Sequence, residues 1–168
     1  MLVENLNEVI YALDEKGRIT YISQSIEAFT GYTPSELRGR HYLDFIHPDD
    51  KEHLLKSFQR SSGGVDNPVE YRLITKENRH VWVRTAARPL LKNGEVTGAQ
   101  GVLADITERK RAEQERAEQH ALIEAIYRNA PLVMMVIDRD RCIRQVNGFA
   151  AQLSGRPEEE MLSLRAGE

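Results

Sequence analysis

An internal repeat is the feature of this sequence that most constrains its fold. Asp14 ends an apolar run and begins a polar turn, and its counterpart, Asp138, does the same 124 positions later. A long-period repeat indicates an array of similar modules. The sequence therefore predicts one whole module, a connector and the opening of a second module, which has reached only its first helices at residue 168. The other matched pairs are Ile19 with Ile143, Gly31 with Gly155 and Glu36 with Glu160.

Composition is that of a globular protein, with 40% apolar and 29% charged residues. The net charge of −3 gives no electrostatic reason to expect nucleic acid or an anionic membrane surface as a partner. The longest apolar run, residues 132–137, is too short to span a bilayer. Cys142 is the only cysteine, which excludes an internal disulfide and a cysteine-rich metal site. We expect a cytoplasmic location, with any membrane anchor elsewhere in the parent protein.

The first module combines two strands, several short helices and three further strands. β-Branched and aromatic residues on both sides of the turn after Asp14 predict a β-hairpin. Gly31 is a favourable helix end, Thr33 a favourable cap and Pro48 a favourable first helical residue. A lone hairpin is marginal in water, so we expect all five strands in one antiparallel sheet with the helices on one face. The predicted strands are residues 9–14, 19–23, 69–75, 81–91 and 95–106, and the predicted helices are residues 25–29, 34–37 and 48–60.

A long polar segment follows the last predicted strand. Residues 108–128 contain neither glycine nor proline and are rich in strong helix formers, and Thr107 is a suitable cap for such a helix. The few apolar residues, Leu122 and Ile126 among them, form one narrow stripe. That pattern fits either a solvated spacer helix or one half of a parallel coiled coil that joins two protomers. The predicted organisation is a domain at residues 1–106, a helical linker at residues 107–128 and an incomplete second domain at residues 129–168.

Seven motifs of the first module resemble the PAS domain family. They follow one another in the family's order from residue 6 to about residue 110, and the resemblance resumes at about Asn129. The last motif is similar to the final strand and exit of bacterial PAS-PAC modules. The resemblance implies an α+β fold in which short helices cover one face of a five-stranded antiparallel sheet, followed by a long exit helix. The motifs are YISQS at 21–25, FTGY at 29–32, EL at 36–37, FIHPDD at 45–50, EYRL at 70–73, VWVR at 81–84 and GVLADITERK at 101–110.

A pocket under the helices goes with this family resemblance. It is either filled by a solid core or open to a small apolar or aromatic ligand, and no cofactor is required. Haem is a third alternative, because His53 lies where haem-binding members supply an axial histidine, although exposure on the polar face of its helix is the simpler interpretation. No other metal site is predicted, because the histidine spacing matches no metal motif. The candidate pocket residues are Ile22, Ile26, Phe29, Tyr42, Phe45, Ile46, Leu54, Phe58 and Leu73.

Further residues have expected structural roles. By resemblance, Glu36 and Lys76 form an ion pair between the second helix and a strand connection, with exposure of both as the alternative. Strand alternation places Trp82 and Arg84 on one face of the sheet, but parity does not say which face. On the outer face, Trp82 would be an interface anchor, together with Leu122 and Ile126 on the exit helix. The expected signal-exit junction is Asp105, Ile106 and Thr107.

The resemblance implies a sensory module that passes a signal through its exit helix to an effector. The expected parent is a sensor histidine kinase or a cyclic-dinucleotide enzyme, and the expected partners are a second copy, bound through the exit helix and the sheet, and a downstream effector domain. The alternative is a ligand-free dimerisation and protein-interaction module. No catalytic residue set is recognisable, so we expect this chain to be no enzyme, and the first module has no cysteine for flavin photochemistry.

Overall fold

The computed structural model describes residues 8–60, 68–162 and 164, without the side chains of residues 58–60. Phe58, a predicted pocket residue, therefore lies outside the described side chains. Contacts divide the chain into two units, Met1–Arg111 and Ala112–Glu168. Of the helices in the described part, none is long and apolar enough to cross a membrane.

The first unit contains a five-stranded antiparallel sheet in the order β2-β1-β5-β4-β3. The prediction of a single antiparallel sheet is confirmed, because the N-terminal hairpin pairs with the C-terminal strand β5 along seven registered positions. The hairpin turn is closed by Asp14, whose Oδ1 accepts the backbone N–H groups of Lys16 and Arg18. The strands are β1 (Glu8–Asp14), β2 (Ile19–Ile22), β3 (Val69–Ile74), β4 (His80–Lys92) and β5 (Glu95–Asp105).

Between β2 and β3, the described residues form three α-helices and one 3₁₀ helix. The first helix ends at Gly31, which takes the left-handed conformation with φ of 75° and returns its N–H to the carbonyl of Glu27. The second helix begins at Pro34. The side chain of Glu36 in its first turn accepts the backbone N–H of Thr33, with 2.9 Å between oxygen and nitrogen. The 3₁₀ helix was not predicted. The helices are α1 (Ile26–Thr30), α2 (Pro34–Leu37), the 3₁₀ helix (Tyr42–Phe45) and α3 (Pro48–Arg60).

Segments next to the helices cover both edges of this sheet. Along β3, His47 donates its N–H to the carbonyl of Arg72, and Asp50 Oδ2 accepts the N–H of Arg72 at 2.8 Å. Along β2, Ile19 donates its N–H to the carbonyl of Arg40 at 3.0 Å. An uncovered edge would invite pairing with another chain. Part of each edge strand is therefore paired outside the sheet, which leaves less of it open to another chain.

A single residue, Ile106, separates the end of β5 from the start of the exit helix α4 (Thr107–Asn129). The prediction of a continuous helix over residues 108–128 is confirmed, with one further residue at each end. None of its described side chains is buried. The boundary between the two units falls within this helix.

The second unit repeats the opening of the first. Met134 donates its N–H to Asn147 Oδ1 at 3.0 Å, and 124 positions earlier Ile10 donates its N–H to Ser23 Oγ at the same distance. The strands of this unit form a two-stranded antiparallel sheet, and β6 is exposed along its length. The elements are β6 (Met135–Ile137), β7 (Ile143–Val146), α5 (Gly148–Ser154) and α6 (Glu158–Met161).

Candidate functional site

An apolar cavity lies between the helices and the sheet of the first unit. The cavity has an enclosed volume of about 60 Å³ and opens to solvent at its mouth. One water needs roughly 10–15 Å³, so the cavity has room for a small molecule and is far below the size of drug-binding pockets. The walls are Tyr11, Leu13, Ile19, Ile22, Ile26, Thr30, Tyr32, Leu37, Tyr42, Phe45, Ile46, Tyr71, Leu73, Ile74 and Leu103.

The structure brings six of the nine predicted pocket residues to this cavity. Two others do not line it. Phe29 is only partly buried on α1, where it packs against the outside of the core. Leu54 is completely buried, but it fills the solid part of the core beneath α3. The six that line the cavity are Ile22, Ile26, Tyr42, Phe45, Ile46 and Leu73.

Buried hydroxyl groups on the sheet wall were missed by the sequence reasoning. Tyr11 Oη lies 2.9 Å from Thr85 Oγ1, and Thr85 donates its single hydroxyl proton to the carbonyl of Val102. Tyr11 must therefore be the donor to Thr85. Burial raises the pKa of Tyr11 and, further, that of Tyr71, so both phenols are neutral. Strand alternation could have found them, because Tyr71 lies two residues before Leu73 on the same face.

The cavity wall carries no charged side chain and no histidine among the described residues. His53 lies on the exposed side of α3 and is not part of the wall. Across the described ranges, no group of three or more His, Cys, Asp or Glu side chains is arranged to hold a metal ion. The arrangement can therefore shelter a neutral, mostly apolar molecule, because a charged one would lose its hydration without gaining a partner.

Glu36 and Lys76 meet at the surface of the first unit. Lys76 Nζ lies 2.5 Å from Glu36 Oε1, which links α2 to the turn between β3 and β4. The hydrogen bond from Lys76, followed by the one from the backbone of Thr33, lowers the pKa of Glu36 to about 2. Both side chains are largely exposed, so solvent screens the pair.

The exit junction continues the pairing of β4 and β5 into the helix. Ile106 donates its N–H to the carbonyl of Trp82 at 2.9 Å, and Trp82 returns its own N–H to Thr107 Oγ1 at 3.0 Å. Asp105 Oδ1 accepts the N–H of Thr107 at 2.8 Å and so occupies one of the free donors of the first helical turn. The three predicted junction residues therefore act together at the point where the sheet becomes the helix.

Trp82 lies on the outer face of the sheet. Its neighbours Val83 and Thr85 are buried in the core, and alternation turns Trp82 the other way. The ring contacts Lys110 of the exit helix within the same unit. The other two predicted interface residues, Leu122 and Ile126, are 61% and 57% exposed on α4. Exposed apolar residues, Ile10, Tyr21 and Val102, continue the outer face toward β2.

Family models match both units. A model described as the PAS fold matches residues 19–103, and one described as a PAS domain matches residues 121–167. The chain belongs to the PAS domain family. The short helices on one face of a five-stranded antiparallel sheet are those of this fold, so the predicted family and fold class are confirmed.

Curated relatives of this PAS protein include sensors and kinases. Sporulation kinase C of Bacillus subtilis (strain 168) is 29% identical over 120 residues, which are 70% of this chain and 28% of that protein. The methyl sulfide methyltransferase-associated sensor of Methanosarcina acetivorans is 36% identical over 120 residues, 68% of this chain and 12% of that protein. The aryl hydrocarbon receptor nuclear translocator homolog of Drosophila melanogaster is 35% identical over 89 residues, 52% of this chain and 14% of that protein. The chain thus spans less than a third of each.

Solved structures agree with the PAS assignment. The sensory box histidine kinase/response regulator of Burkholderia thailandensis E264 superposes with a TM-score of 0.58 at 25% identity, over 70% of this chain and 92% of that one. The N-terminal domain of a diguanylate cyclase with PAS/PAC sensor from Marinobacter aquaeolei gives 0.54 at 23% identity, over 61% and 98% of the two chains, which is a likeness of fold.

Asn147 organises the start of the second PAS module and was not singled out from the sequence. It is 1% exposed, and its Oδ1 accepts the N–H groups of Met134 and Ala150. Its amide group donates to the carbonyl of Leu132 at 2.9 Å and to that of Ala130 at 3.5 Å. This one side chain ties the residues after α4 to β6 and α5. The repeat carries the signal for it, because Asn147 aligns with Ser23.

Proposed function

We propose that this chain is a sensory PAS module that binds a small, neutral, apolar or aromatic molecule and relays the event through α4 to an effector. The observation that carries the proposal is the uncharged cavity of the first unit, whose wall includes Leu103 on β5, the strand that leads into the exit helix. A molecule in the cavity would press on β5 two residues before Asp105. The paired exit junction would pass that displacement to the first turn of α4.

The effector is a domain of the parent protein of the histidine kinase or diguanylate cyclase type. Similarity to sporulation kinase C and to the Burkholderia thailandensis kinase supports the first type. The likeness of fold to a diguanylate cyclase sensor domain is in keeping with the second. The chain itself serves regulation and not catalysis, and we place it in the cytoplasm.

No cofactor is required for this function. Haem would need an axial ligand within the cavity, and the candidate, His53, is exposed outside the wall. The absorption spectrum of the purified protein is therefore expected to lack a Soret band. A Soret band that is lost in His53→Ala would establish the haem alternative instead.

A second candidate function is dimerisation and protein interaction without a ligand. It is favoured by the exposed apolar residues of the outer face, Ile10, Tyr21 and Val102, and by Leu122 and Ile126 on α4. A homodimer that used both surfaces is compatible with ligand sensing as well. Sedimentation equilibrium of the chain, compared with Ile10→Glu and Ile126→Glu, tests it: each variant is expected to weaken the dimer.

Thermal unfolding with neutral and charged aromatic probes separates the two functions. A probe at ten times its dissociation constant stabilises the folded domain by about 1.4 kcal/mol. In a domain of this size, each kcal/mol of stabilisation raises Tm by roughly 4–8 °C. We expect such a rise with indole or toluene and none with indole-3-acetate, whose carboxylate finds no partner in the cavity. The rise should vanish in Ile26→Phe, which fills the cavity, and persist in Leu55→Phe on the exposed side of α3. Equal behaviour of wild type and Ile26→Phe with every probe contradicts cavity binding.

A further inference from the structure

Besides the hydrogen bonds of the exit junction, a set of side-chain contacts across the outer face of the sheet joins the start of α3 to the start of α4. Two cations lie over the ring of Trp82. The guanidinium carbon of Arg72 is 5.5 Å from the ring centroid, and Lys110 Nζ is 5.3 Å from it. Cations at this distance are attracted to the face of an indole ring. Because Arg72 belongs to β3 and Lys110 to α4, the ring connects a strand with the exit helix.

Arg72 is held on its other side by Asp50 in the first turn of α3. Its Nε lies 2.9 Å from Asp50 Oδ2 and its Nη2 lies 2.7 Å from Oδ1, while the backbone N–H of Arg72 also donates to Oδ2. Such two-pronged pairs fix geometry as well as charge. The side chains of Asp50 and Arg72 are 17% and 26% exposed. Those of the surface pair Glu52 and Lys56 are 79% and 61% exposed. The hydrogen bond from Arg72 lowers the pKa of Asp50, so Asp50 is ionised at neutral pH.

Lys110 is held in turn by Glu70 on β3. Lys110 Nζ lies 2.7 Å from Glu70 Oε2, and Arg109 Nη2 lies 2.5 Å from Glu70 Oε1. Hydrogen bonds from Lys110 and then from Arg109 lower the pKa of Glu70, which is therefore also ionised at neutral pH. The first turn of α4 is thus attached to the sheet by charge as well as by the Thr107 hydrogen bond.

These residues form one continuous series that passes close to the cavity wall. Leu73 is part of that wall and pairs with Ile46, and Arg72 of the series directly precedes Leu73. From there the contacts run over the outer face without entering the core. We refer to the series Asp50, Arg72, Trp82, Lys110, Glu70 and Arg109 as the outer-face clamp.

We propose that the outer-face clamp is a charge-dependent latch that sets how firmly the first turn of α4 is held against the sheet, and that it carries a displacement of the start of α3 to the exit helix. The use of such a latch in signalling rests on the proposed sensory function. The latch itself does not, because it is defined by contacts within one unit and can be measured without a ligand.

Fluorescence offers a direct probe, since Trp82 is the only tryptophan of the chain. Acrylamide quenching measures how far the indole ring is covered. Hydrogen exchange of the amides of residues 110–113 measures how firmly the first helical turn is held, because Lys110 is the first residue whose N–H bonds back along the helix, to the carbonyl of Ile106. In Glu70→Gln we expect quenching to rise at least twofold and exchange to become several-fold faster. Glu52→Gln removes an exposed ion pair elsewhere and serves as the matched control, with no change expected. Wild-type values in Glu70→Gln overturn the latch.

Salt distinguishes a latch from simple packing. Raising the salt concentration to 1 M shortens the Debye length to about 3 Å and weakens partly exposed charge pairs. We expect salt to increase quenching of Trp82 in the wild type and to have much less effect in Glu70→Gln, where the pairs with Arg109 and Lys110 are already lost. The same salt response in both proteins overturns the role of charge.

The connection to α3 is tested by neighbouring acids. Asp50→Asn is expected to speed exchange of the amides of residues 110–113, through its bond with Arg72 and the contact of Arg72 with Trp82. Asp49→Asn should do so far less, because Asp49 is 72% exposed and lies 3.4 Å from Arg72. Should Asp50→Asn unfold, Arg72→Lys replaces it, since lysine keeps the charge and loses the two-pronged geometry. Unchanged exchange in the folded variant overturns the connection, and because no ligand is used this result is independent of whether the cavity binds one.

Discussion

Thr107 Oγ1 accepts the backbone N–H of Trp82, with 3.0 Å between oxygen and nitrogen. The bond attaches the first residue of the exit helix to a strand that the helix does not follow in sequence. A helix that began free in water would leave its first N–H groups to solvent. Here Asp105 accepts the first of these N–H groups, and the side chain of Thr107 attaches the first turn to β4 as well as to β5.

Removing this hydrogen bond should loosen the start of α4. Thr107→Val leaves the N–H of Trp82 without its partner, and a typical bond of this kind contributes about 0.5–1.5 kcal/mol. We expect a loss of that order in the free energy of unfolding by urea, with faster hydrogen exchange of the amides of residues 110–113. Thr97→Val, which removes an exposed hydroxyl that donates to the carbonyl of Leu90, is the control. Exchange at residues 110–113 that is equal in the two variants would contradict the role of Thr107.

Two adjacent leucines of α3 should differ sharply in their contribution to stability. Leu54 is 0% exposed and Leu55 is 39% exposed. Leu54→Ala leaves a cavity in the solid core and should cost about 2–5 kcal/mol, whereas Leu55→Ala should cost less than about 1 kcal/mol. Urea denaturation followed by circular dichroism measures both. Comparable losses would mean that α3 does not present Leu54 to the sheet.

The strands and helices of the first unit could be predicted from the sequence because their turns and ends depend on local residue types. Gly31 ends a helix through its left-handed conformation, and Asp14 closes a hairpin turn with its own carboxylate. Such contacts depend on residues close together in the chain, so residue type alone predicts them. The five strands followed from alternation and from the need to pair.

What the sequence could not supply depends on contacts between distant elements. Strand alternation placed Trp82 and Arg84 on the same face of the sheet but did not say which face. The burial of Val83 and Thr85 under the helices shows that it is the outer face. Leu54 was apolar and inward, as expected, but whether an inward residue lines a void or fills the core depends on how all its neighbours pack. Asn147 bonds to residues 13 to 17 positions away, which no local pattern reports.

Gly101 is required by the close approach of two neighbours. A Cβ added at this position would lie 2.5 Å from the carbonyl oxygen of Ala86 and 2.8 Å from Tyr11 Oη. Gly101→Ala must therefore displace both the backbone of β4 and the ring of Tyr11, and overpacking of this kind costs about 1–3 kcal/mol. Gly148→Ala, where the nearest atom would be 3.6 Å away, is the matched control and should be neutral or stabilising. Thermal unfolding compares them, and equal Tm values would rule out the close approach.

Glu36 should give the first unit a pH-dependent contribution to stability. Its pKa in the folded protein is about 2, below the ordinary value of 4.5, chiefly because Lys76 donates to it. The unfolded state therefore binds protons more readily in this range, and stability falls as protons are added. The contribution of the pair is fully present above pH 4.5 and is lost as the pH falls from 4.5 through 2. Lys76 has its pKa raised by the same contact, so the contribution is also lost at alkaline pH.

Titration of the Glu36 carboxyl carbon by NMR tests this assignment directly. In Lys76→Met we expect the pKa of Glu36 to rise toward 4.5 but to stay below it, because the N–H of Thr33 still donates to Oε2. Lys56→Met, which breaks the exposed pair with Glu52, should leave the titration of Glu36 unchanged. Because Glu36 and Lys76 are both exposed, salt should move the wild-type pKa in the same direction as Lys76→Met does. A wild-type Glu36 that titrates near 4.5 would show that solvent screens the pair completely, and the predicted loss of stability between pH 4.5 and 2 would then be absent.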